Sequence, residues 1–114
     1  LDRAYSALID DLSYRGMLDD TLLIAMGEFG RTPKISNRAA REHHKDCYFS
    51  IWAGGGIEPG RVIGESDAKA EHPITRPITP LQVGTTIAEL CGIGARKRAE
   101  MKVLDGGSVI HELI

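Results

Sequence analysis

The sequence has few cysteines, few aromatic residues and no long apolar run. Its 114 residues include two cysteines, Cys47 and Cys91, which are too few for a disulfide framework. No apolar run approaches the roughly 18 residues that cross a bilayer, so we expect no membrane span. The net charge of −2 leaves no basic excess, so we expect no nucleic-acid partner. With 42% hydrophobic and 26% charged residues, the composition is typical of a single globular domain over residues 1–114.

The first sixteen residues predict an amphipathic helix. Apolar side chains recur at helical spacing from Leu1 to Leu12, and Gly16 stands where a left-handed C-terminal cap belongs. Because this helix opens at Leu1 with no preceding methionine, we interpret residues 1–114 as one end of a longer protein.

Two short apolar runs and a second helix follow. Thr21–Met26 and Tyr48–Ala53 are too short for helices and predict buried strands. Thr79–Gly92 predicts a helix that begins with a capping box between Thr79 and Gln82. A helix, a short turn and a buried strand in succession favour an α/β fold with a parallel sheet.

The segment Gly27–Cys47, between the two predicted strands, carries most of the polar chemistry. It has few large apolar residues and no clean period. Between Arg31 and Asp46 it holds five Lys or Arg residues against two acidic ones, a local charge of +3. Open α/β folds bind their ligands at the carboxyl ends of buried strands, so we expect functional residues in this segment.

A metal site is one interpretation of this segment. Glu28 follows the predicted strand by two residues, and a folded-back loop would bring His43 and His44 towards it. A carboxylate with one or two imidazoles suits a divalent transition metal such as zinc or manganese. The other interpretation is a solvated loop in which Glu28 pairs with Arg31 and the histidines face water.

Arg31 is a candidate for binding an anion. It lies in the turn GRTP, and its planar guanidinium matches the geometry of a phosphate or sulfate group. An arginine that only holds a long loop in place explains the same residue equally well. The sequence leaves both interpretations of Arg31 open.

Several stretches of the sequence together resemble a known family. They are DDLSYRGMLDDTLLIAMGEFGRTPKI, then REHH, AGGGIEPGRVIGESD and TPLQVGTTIAELCGI, and finally LDGGSVIHELI. In this order they resemble the carboxyl-terminal part of an uncharacterised sulfatase-like family in the alkaline phosphatase superfamily. That family is known mainly as a domain of unknown function and is abundant in planctomycete-type bacteria. Its full members are several times longer than this chain.

The resemblance implies a fold and a set of metal ligands. The fold would be an α/β/α sandwich around a mixed, mostly parallel sheet, with residues 1–114 forming a carboxyl-terminal portion. In the superfamily, an Asp-His pair after a strand and a histidine from the next loop bind two metals. Glu28 stands at the position of the aspartate and His43 at that of the later histidine. Phe29 replaces the histidine of the pair and cannot bind a metal, so one metal would lose a ligand unless His44 replaces it.

The resemblance also implies a function for the full protein. It would be a metal-dependent hydrolase of sulfate or phosphate esters, with zinc, manganese or calcium as the divalent metal. The nucleophile would lie upstream, so residues 1–114 alone should not catalyse hydrolysis. The alternative, favoured by Phe29, is a catalytically degenerate member that binds an anionic ligand or has a structural role.

Partners and location follow from the same resemblance. The ligand would be a sulfated or phosphorylated small molecule or glycan. Family members often carry export signals, which implies a periplasmic or extracytoplasmic location. Apolar surface left exposed on residues 1–114 would favour a homo-oligomer.

Overall fold

The chain folds into three α-helices, four short strands and two 3-10 turns. A computed structural model describes all residues, 1–114. In chain order the elements are α1 (Asp2–Tyr14), a 3-10 turn (Leu18–Asp20), β1 (Leu23–Met26), β2 (Gly30–Arg31), β3 (His43–His44), β4 (Ser50–Ala53), α2 (Pro80–Leu90), α3 (Ala95–Met101) and a second 3-10 turn (His111–Leu113).

The sheets differ from the expected architecture. Strand β1 pairs only with β4, and β2 pairs only with β3, so each sheet has two strands. The β2–β3 pair is antiparallel. The expected α/β/α sandwich around a mixed, mostly parallel sheet is therefore wrong for this chain. An apolar run such as Thr21–Met26 predicts a strand but does not determine how many neighbours it has, and β1 is only half-buried, with Met26 exposed.

The chain forms two compact units. The first unit comprises Leu1–Leu23, Trp52–Arg61 and Ile78–Ile114, and the second comprises Ile24–Ile51 and Val62–Pro77. The first contains all three α-helices, and the second contains the β2–β3 hairpin.

In the first unit, α1 ends as its sequence predicts. Gly16 has a φ of +66°, and the backbone N–H of Met17 donates to the carbonyl of Leu12 at 2.8 Å. A left-handed residue at this position lets the chain turn back and bond the last carbonyls of the helix. Leu12 is buried, and the Tyr5 hydroxyl donates to the carbonyl of Leu23 at 3.3 Å.

Helix α2 and the chain end form the best-buried part of the first unit. The predicted capping box is confirmed: the Thr79 hydroxyl accepts from the Gln82 N–H, and the Gln82 side chain accepts from the Thr79 N–H. Thr86 is fully buried, and its hydroxyl donates to the carbonyl of Gln82 and accepts from the N–H of Ile110 at 2.9 Å, which offsets the cost of burying it. Ile110 is 1% exposed and is the largest fully buried side chain.

The segment after α2 forms a third helix. Ala95–Met101 (α3) is exposed except at Arg98, which is buried. Its guanidinium donates to Glu89 and to the carbonyl of Ile93, which compensates for its removal from water. No helix of this chain is both long and apolar enough to cross a membrane.

In the second unit, Asp67 organises the segment after residue 62. Its carboxylate accepts from the backbone N–H groups of Glu71 at 2.9 Å, Lys69 at 3.0 Å and His72 at 3.2 Å. A backbone bridge between Ser66 and Pro73 closes the same segment. These contacts hold an otherwise irregular polar segment in one conformation.

Candidate functional site

The segment predicted to carry the site is a β-hairpin rather than an irregular loop. Arg31 is the register partner of His43, and Gly30 is the partner of His44. Beyond the paired residues, the N–H of Thr32 donates to the carbonyl of Glu42 at 3.0 Å, and the N–H of Glu42 donates to the Thr32 hydroxyl at 3.0 Å. The hairpin thus brings two separate parts of the segment side by side.

Gly30 allows the two strands to approach. It is buried, and a Cβ atom at this position would collide with the backbone carbonyl of Cys47 and would lie 3.1 Å from that of His44. Only a residue without a side chain fits here. Gly30 therefore determines the position of the strand that carries its neighbours Phe29 and Arg31.

Phe29, Arg31 and His43 form a cluster at the base of the hairpin, which we call the Arg31–His43 cluster. The ring centroids of Phe29 and His43 lie 3.8 Å apart with an interplanar angle of 32°. The guanidinium carbon of Arg31 lies 5.1 Å from the Phe29 centroid, within the range of a cation–π contact. Because Arg31 and His43 are directly paired, their side chains share one face of the hairpin.

The cluster has free hydrogen-bonding groups. The side chains of Arg31 and His43 are exposed. One terminal nitrogen of the Arg31 guanidinium donates to the carbonyl of Arg41 at 3.4 Å. The other N–H groups of the Arg31 guanidinium have no protein partner. The only side-chain contact of His43 is with the Phe29 ring, so both imidazole nitrogens are available. A cation and an imidazole on one face can together bind an anionic oxygen group.

The His44 side chain lies outside the Arg31–His43 cluster and contacts the backbone of Glu71 instead. Its Nε2 lies 2.9 Å from the carbonyl oxygen of Glu71. A carbonyl oxygen can only accept, so Nε2 carries a hydrogen, and in the neutral ring the free lone pair lies on Nδ1. His44 therefore joins the hairpin to the segment that Asp67 organises.

Two acidic groups lie near Cys47. Partial burial of the Cys47 thiol, then the negative charges of Asp67 and Asp46, raise its pKa. A raised pKa disfavours the thiolate, which is the nucleophilic form. Asp46 is also 3.5 Å from His72 Nδ1. Burial and the two neighbouring carboxylates thus disfavour the reactive thiolate form of Cys47.

The predicted metal ligands do not form a complete site within this chain. The Glu28 carboxylate is exposed and has no hydrogen-bond or ion-pair partner. No three His, Cys, Asp or Glu side chains lie close enough together to hold a metal ion. The residues present therefore do not make a metal site on their own, and Glu28, His43 and His44 as ligands stay a prediction.

Sequence reasoning missed the role of two residues here. The resemblance presents Phe29 as the loss of a ligand, whereas in the structure its ring contacts both Arg31 and His43. The sequence shows Arg41 only as one of five local cations, whereas it bonds both to the hairpin backbone and to Arg31. Arg31 and His43 are far apart in the sequence, and no local sequence pattern predicts the register in which their strands pair.

Comparisons with known proteins give a family but no activity. No curated protein matches the chain, and no solved structure matches it. A family model described as "Protein of unknown function (DUF1501)" matches residues 1–114, which is the whole of this sequence. The chain therefore belongs to the DUF1501 family.

Proposed function

We propose that this chain supplies an anion-binding site to a protein that binds sulfate or phosphate esters. The observation that carries the proposal is the Arg31–His43 cluster, in which one aromatic ring contacts both a guanidinium and an imidazole. The guanidinium fork matches two oxygens of a sulfate or phosphate group, and an imidazole N–H can bond a third.

The Phe29 ring supports this proposal because it orders both polar groups. An exposed arginine loses side-chain entropy when it binds a ligand, and this loss weakens binding. Contact with Phe29 restricts Arg31 and His43 before the ligand arrives. The ring that replaces a metal-binding histidine in the proposed superfamily pattern thus has a role of its own in binding.

The surrounding charge also favours an anion. Lys34, Arg38 and Arg41 lie on the same hairpin, and none of them has an acidic partner. In the first unit, by contrast, most cations are paired, as Arg15 is with Asp11. Unpaired cations raise the local potential and attract an anionic ligand.

The test is binding of inorganic sulfate and phosphate to the full-length protein, measured by titration calorimetry. Arg31→Ala should weaken binding about 10-fold or more, because a hydrogen bond to a charged group contributes about 1.5–3 kcal/mol. Phe29→Leu keeps an apolar side chain but removes the ring, and a smaller loss is expected. Lys34→Ala removes one unpaired cation outside the cluster and is the matched control. Equal affinities of the Arg31 variant and the parent would refute the proposal.

A second proposal is that the full-length protein is a metal-dependent, sulfatase-like hydrolase of sulfate or phosphate esters. It rests on the resemblance to the alkaline phosphatase superfamily, and the exposed side chains of Glu28 and His43, neither of which makes a hydrogen bond or ion pair, support it. The remaining ligands and the nucleophile would have to come from outside residues 1–114.

The second proposal is tested by elemental mass spectrometry of the purified full-length protein. Near-stoichiometric zinc, manganese or calcium is expected, falling in the His43→Ala variant. Screening of sulfate and phosphate esters would then follow. Metal content that is unchanged in the variant would remove His43 as a ligand, and no metal in either sample would leave the anion-binding proposal alone.

A further inference from the structure

Arg41 makes contacts that no other cation of the hairpin makes. One terminal nitrogen of its guanidinium donates to the carbonyl of Thr32 at 2.8 Å and to that of Pro33 at 2.5 Å. Both acceptors lie on the opposite arm of the hairpin, directly after Arg31. The Arg41 side chain therefore bonds the two arms together next to the Arg31–His43 cluster.

The backbone of Arg41 contacts Arg31 directly. Its carbonyl oxygen accepts from the Arg31 guanidinium at 3.4 Å. Arg31 is thus restricted at two places, by the Phe29 ring at 5.1 Å and by the Arg41 carbonyl. The peptide group that carries this carbonyl is held by the Glu42 N–H, which donates to the Thr32 hydroxyl at 3.0 Å, and the Arg41 side chain adds its two bonds to the same arm.

We propose that Arg41 is a positioning residue, which holds the Arg31 guanidinium in the orientation that binds an anionic oxygen group. This inference rests on the proposed anion-binding function. Two of the five N–H donors of Arg41, both on one terminal nitrogen, are used by these carbonyls, and we assign the contribution of Arg41 to the position of Arg31 rather than to a contact of its own with the ligand. The effect of losing Arg41 must then depend on whether Arg31 is present.

Arg38 provides a matched control. It lies near the tip of the same hairpin, it is exposed, and its side chain makes no hydrogen bond or ion pair. Arg38→Met and Arg41→Met remove the same charge and the same donors from neighbouring positions. Only the second removes the contacts with Thr32 and Pro33, so the difference between them measures positioning and not net charge.

The experiment is titration of inorganic phosphate into the full-length protein and its variants at fixed ionic strength. Arg41→Met should weaken binding about 10-fold, a coupling typical of residues in one hydrogen-bond network, and Arg38→Met should weaken it less than about 3-fold. Arg41→Lys, whose ammonium can still donate to two carbonyls, should restore most of the affinity. In an Arg31→Ala background, Arg41→Met should cause no more loss than Arg38→Met does.

The outcomes separate the two proposals. If Arg31→Ala weakens phosphate binding but Arg41→Met only matches Arg38→Met, the positioning role is overturned and the anion site stands. Full loss from Arg41→Met in the Arg31→Ala background would also overturn it, because Arg41 would then bind the anion itself. If Arg31→Ala has no effect, the anion site fails and the positioning role fails with it. Amide hydrogen exchange of β2 and β3 reports whether each variant keeps the hairpin.

Discussion

At the scale of single residues, the site depends most on a position that has no side chain. Gly30 is buried where the hairpin meets the backbone of Cys47, and any Cβ there would collide with that carbonyl. The collision involves backbone atoms, which cannot rotate away as the end of a flexible side chain can. A substitution at Gly30 must therefore displace the strand that carries Arg31.

Gly30→Ala should both destabilise the second unit and weaken anion binding. Overpacking of this kind costs about 1–3 kcal/mol, and the displaced strand would separate Phe29 from His43. Chemical denaturation measures the loss of stability, and titration with phosphate measures the loss of binding. Gly27→Ala is the matched control, because a Cβ at Gly27 would lie 3.5 Å from its nearest neighbour, an ordinary contact. Equal stability of the two variants would contradict this account of Gly30.

The buried Arg98 supports the first unit in a comparable way. Its side chain is 9% exposed and bonds the Glu89 carboxylate at 2.5 Å and the carbonyl of Ile93 at 2.7 Å. Arg98→Met should lower the free energy of unfolding by about 1–3 kcal/mol, because the carbonyl of the half-buried Ile93 and the half-buried carboxylate of Glu89 lose their donor.

Arg96→Met is the control for Arg98. The Arg96 side chain is 95% exposed and pairs with Glu100, and an exposed pair of this kind contributes about 0–1 kcal/mol. Urea unfolding monitored by circular dichroism compares the two variants. The assignment of Arg98 as a structural residue would be abandoned if its variant were as stable as the Arg96 variant.

At the scale of elements, Asp67 determines the conformation of the segment that follows it. The N–H of Glu71 makes the largest contribution to lowering the pKa of Asp67 below its ordinary 3.8, and the N–H groups of Lys69 and His72 add to it. A lowered folded-state pKa means that the stabilisation is complete above the unfolded value and is lost as pH falls through the folded value.

Amide hydrogen exchange should show this loss as a function of pH. Protection of the Glu71 and Lys69 amides should be retained above pH 3.8 and should fall at lower pH, relative to the amides of α2. Asp67→Ala should remove that protection at neutral pH as well, while Asp105→Ala, an exposed acidic residue outside this segment, should leave it intact. The prediction fails if protection in the Asp67 variant equals that in the parent protein.

Elements defined by neighbouring residues were predicted well. The pattern of α1, the capping box of α2 and the positive φ of Gly16 all agree with the sequence. Each depends on contacts within about one helical turn or one tight turn, which the local sequence specifies. The β2–β3 hairpin was missed because each strand has two residues, too few for any period to be visible.

At the scale of the whole molecule, little apolar surface is buried. Three hydrophobic side chains, Leu12, Ala88 and Ile110, are buried, whereas sixteen large hydrophobic side chains remain exposed. Stability in the first unit therefore depends strongly on the few groups that are enclosed, and Ile110 is the largest of them. A core of this size leaves little margin for a cavity.

Ile110→Ala should accordingly have a large effect on stability. Truncation of a buried isoleucine costs about 2–5 kcal/mol, and Ile110→Val, which leaves a smaller cavity, should cost about 0.5–1.5 kcal/mol. Thermal unfolding measures both values. Ile114→Ala serves as the control because its side chain is 38% exposed. Similar midpoints for the Ile110 and Ile114 variants would show that Ile110 does not contribute to the core as described.

The sequence by itself determined the helices α1 and α2, the left-handed turn at Gly16, and the strand segments within Thr21–Met26 and Tyr48–Ala53. These features depend on backbone hydrogen bonds and side-chain periods within a few residues of each other. Only the tertiary structure decided that the sheets have two strands each, that Arg98 is buried, and that Phe29 contacts both Arg31 and His43. Those outcomes depend on contacts between residues far apart in the chain, whose partners and register no local pattern specifies.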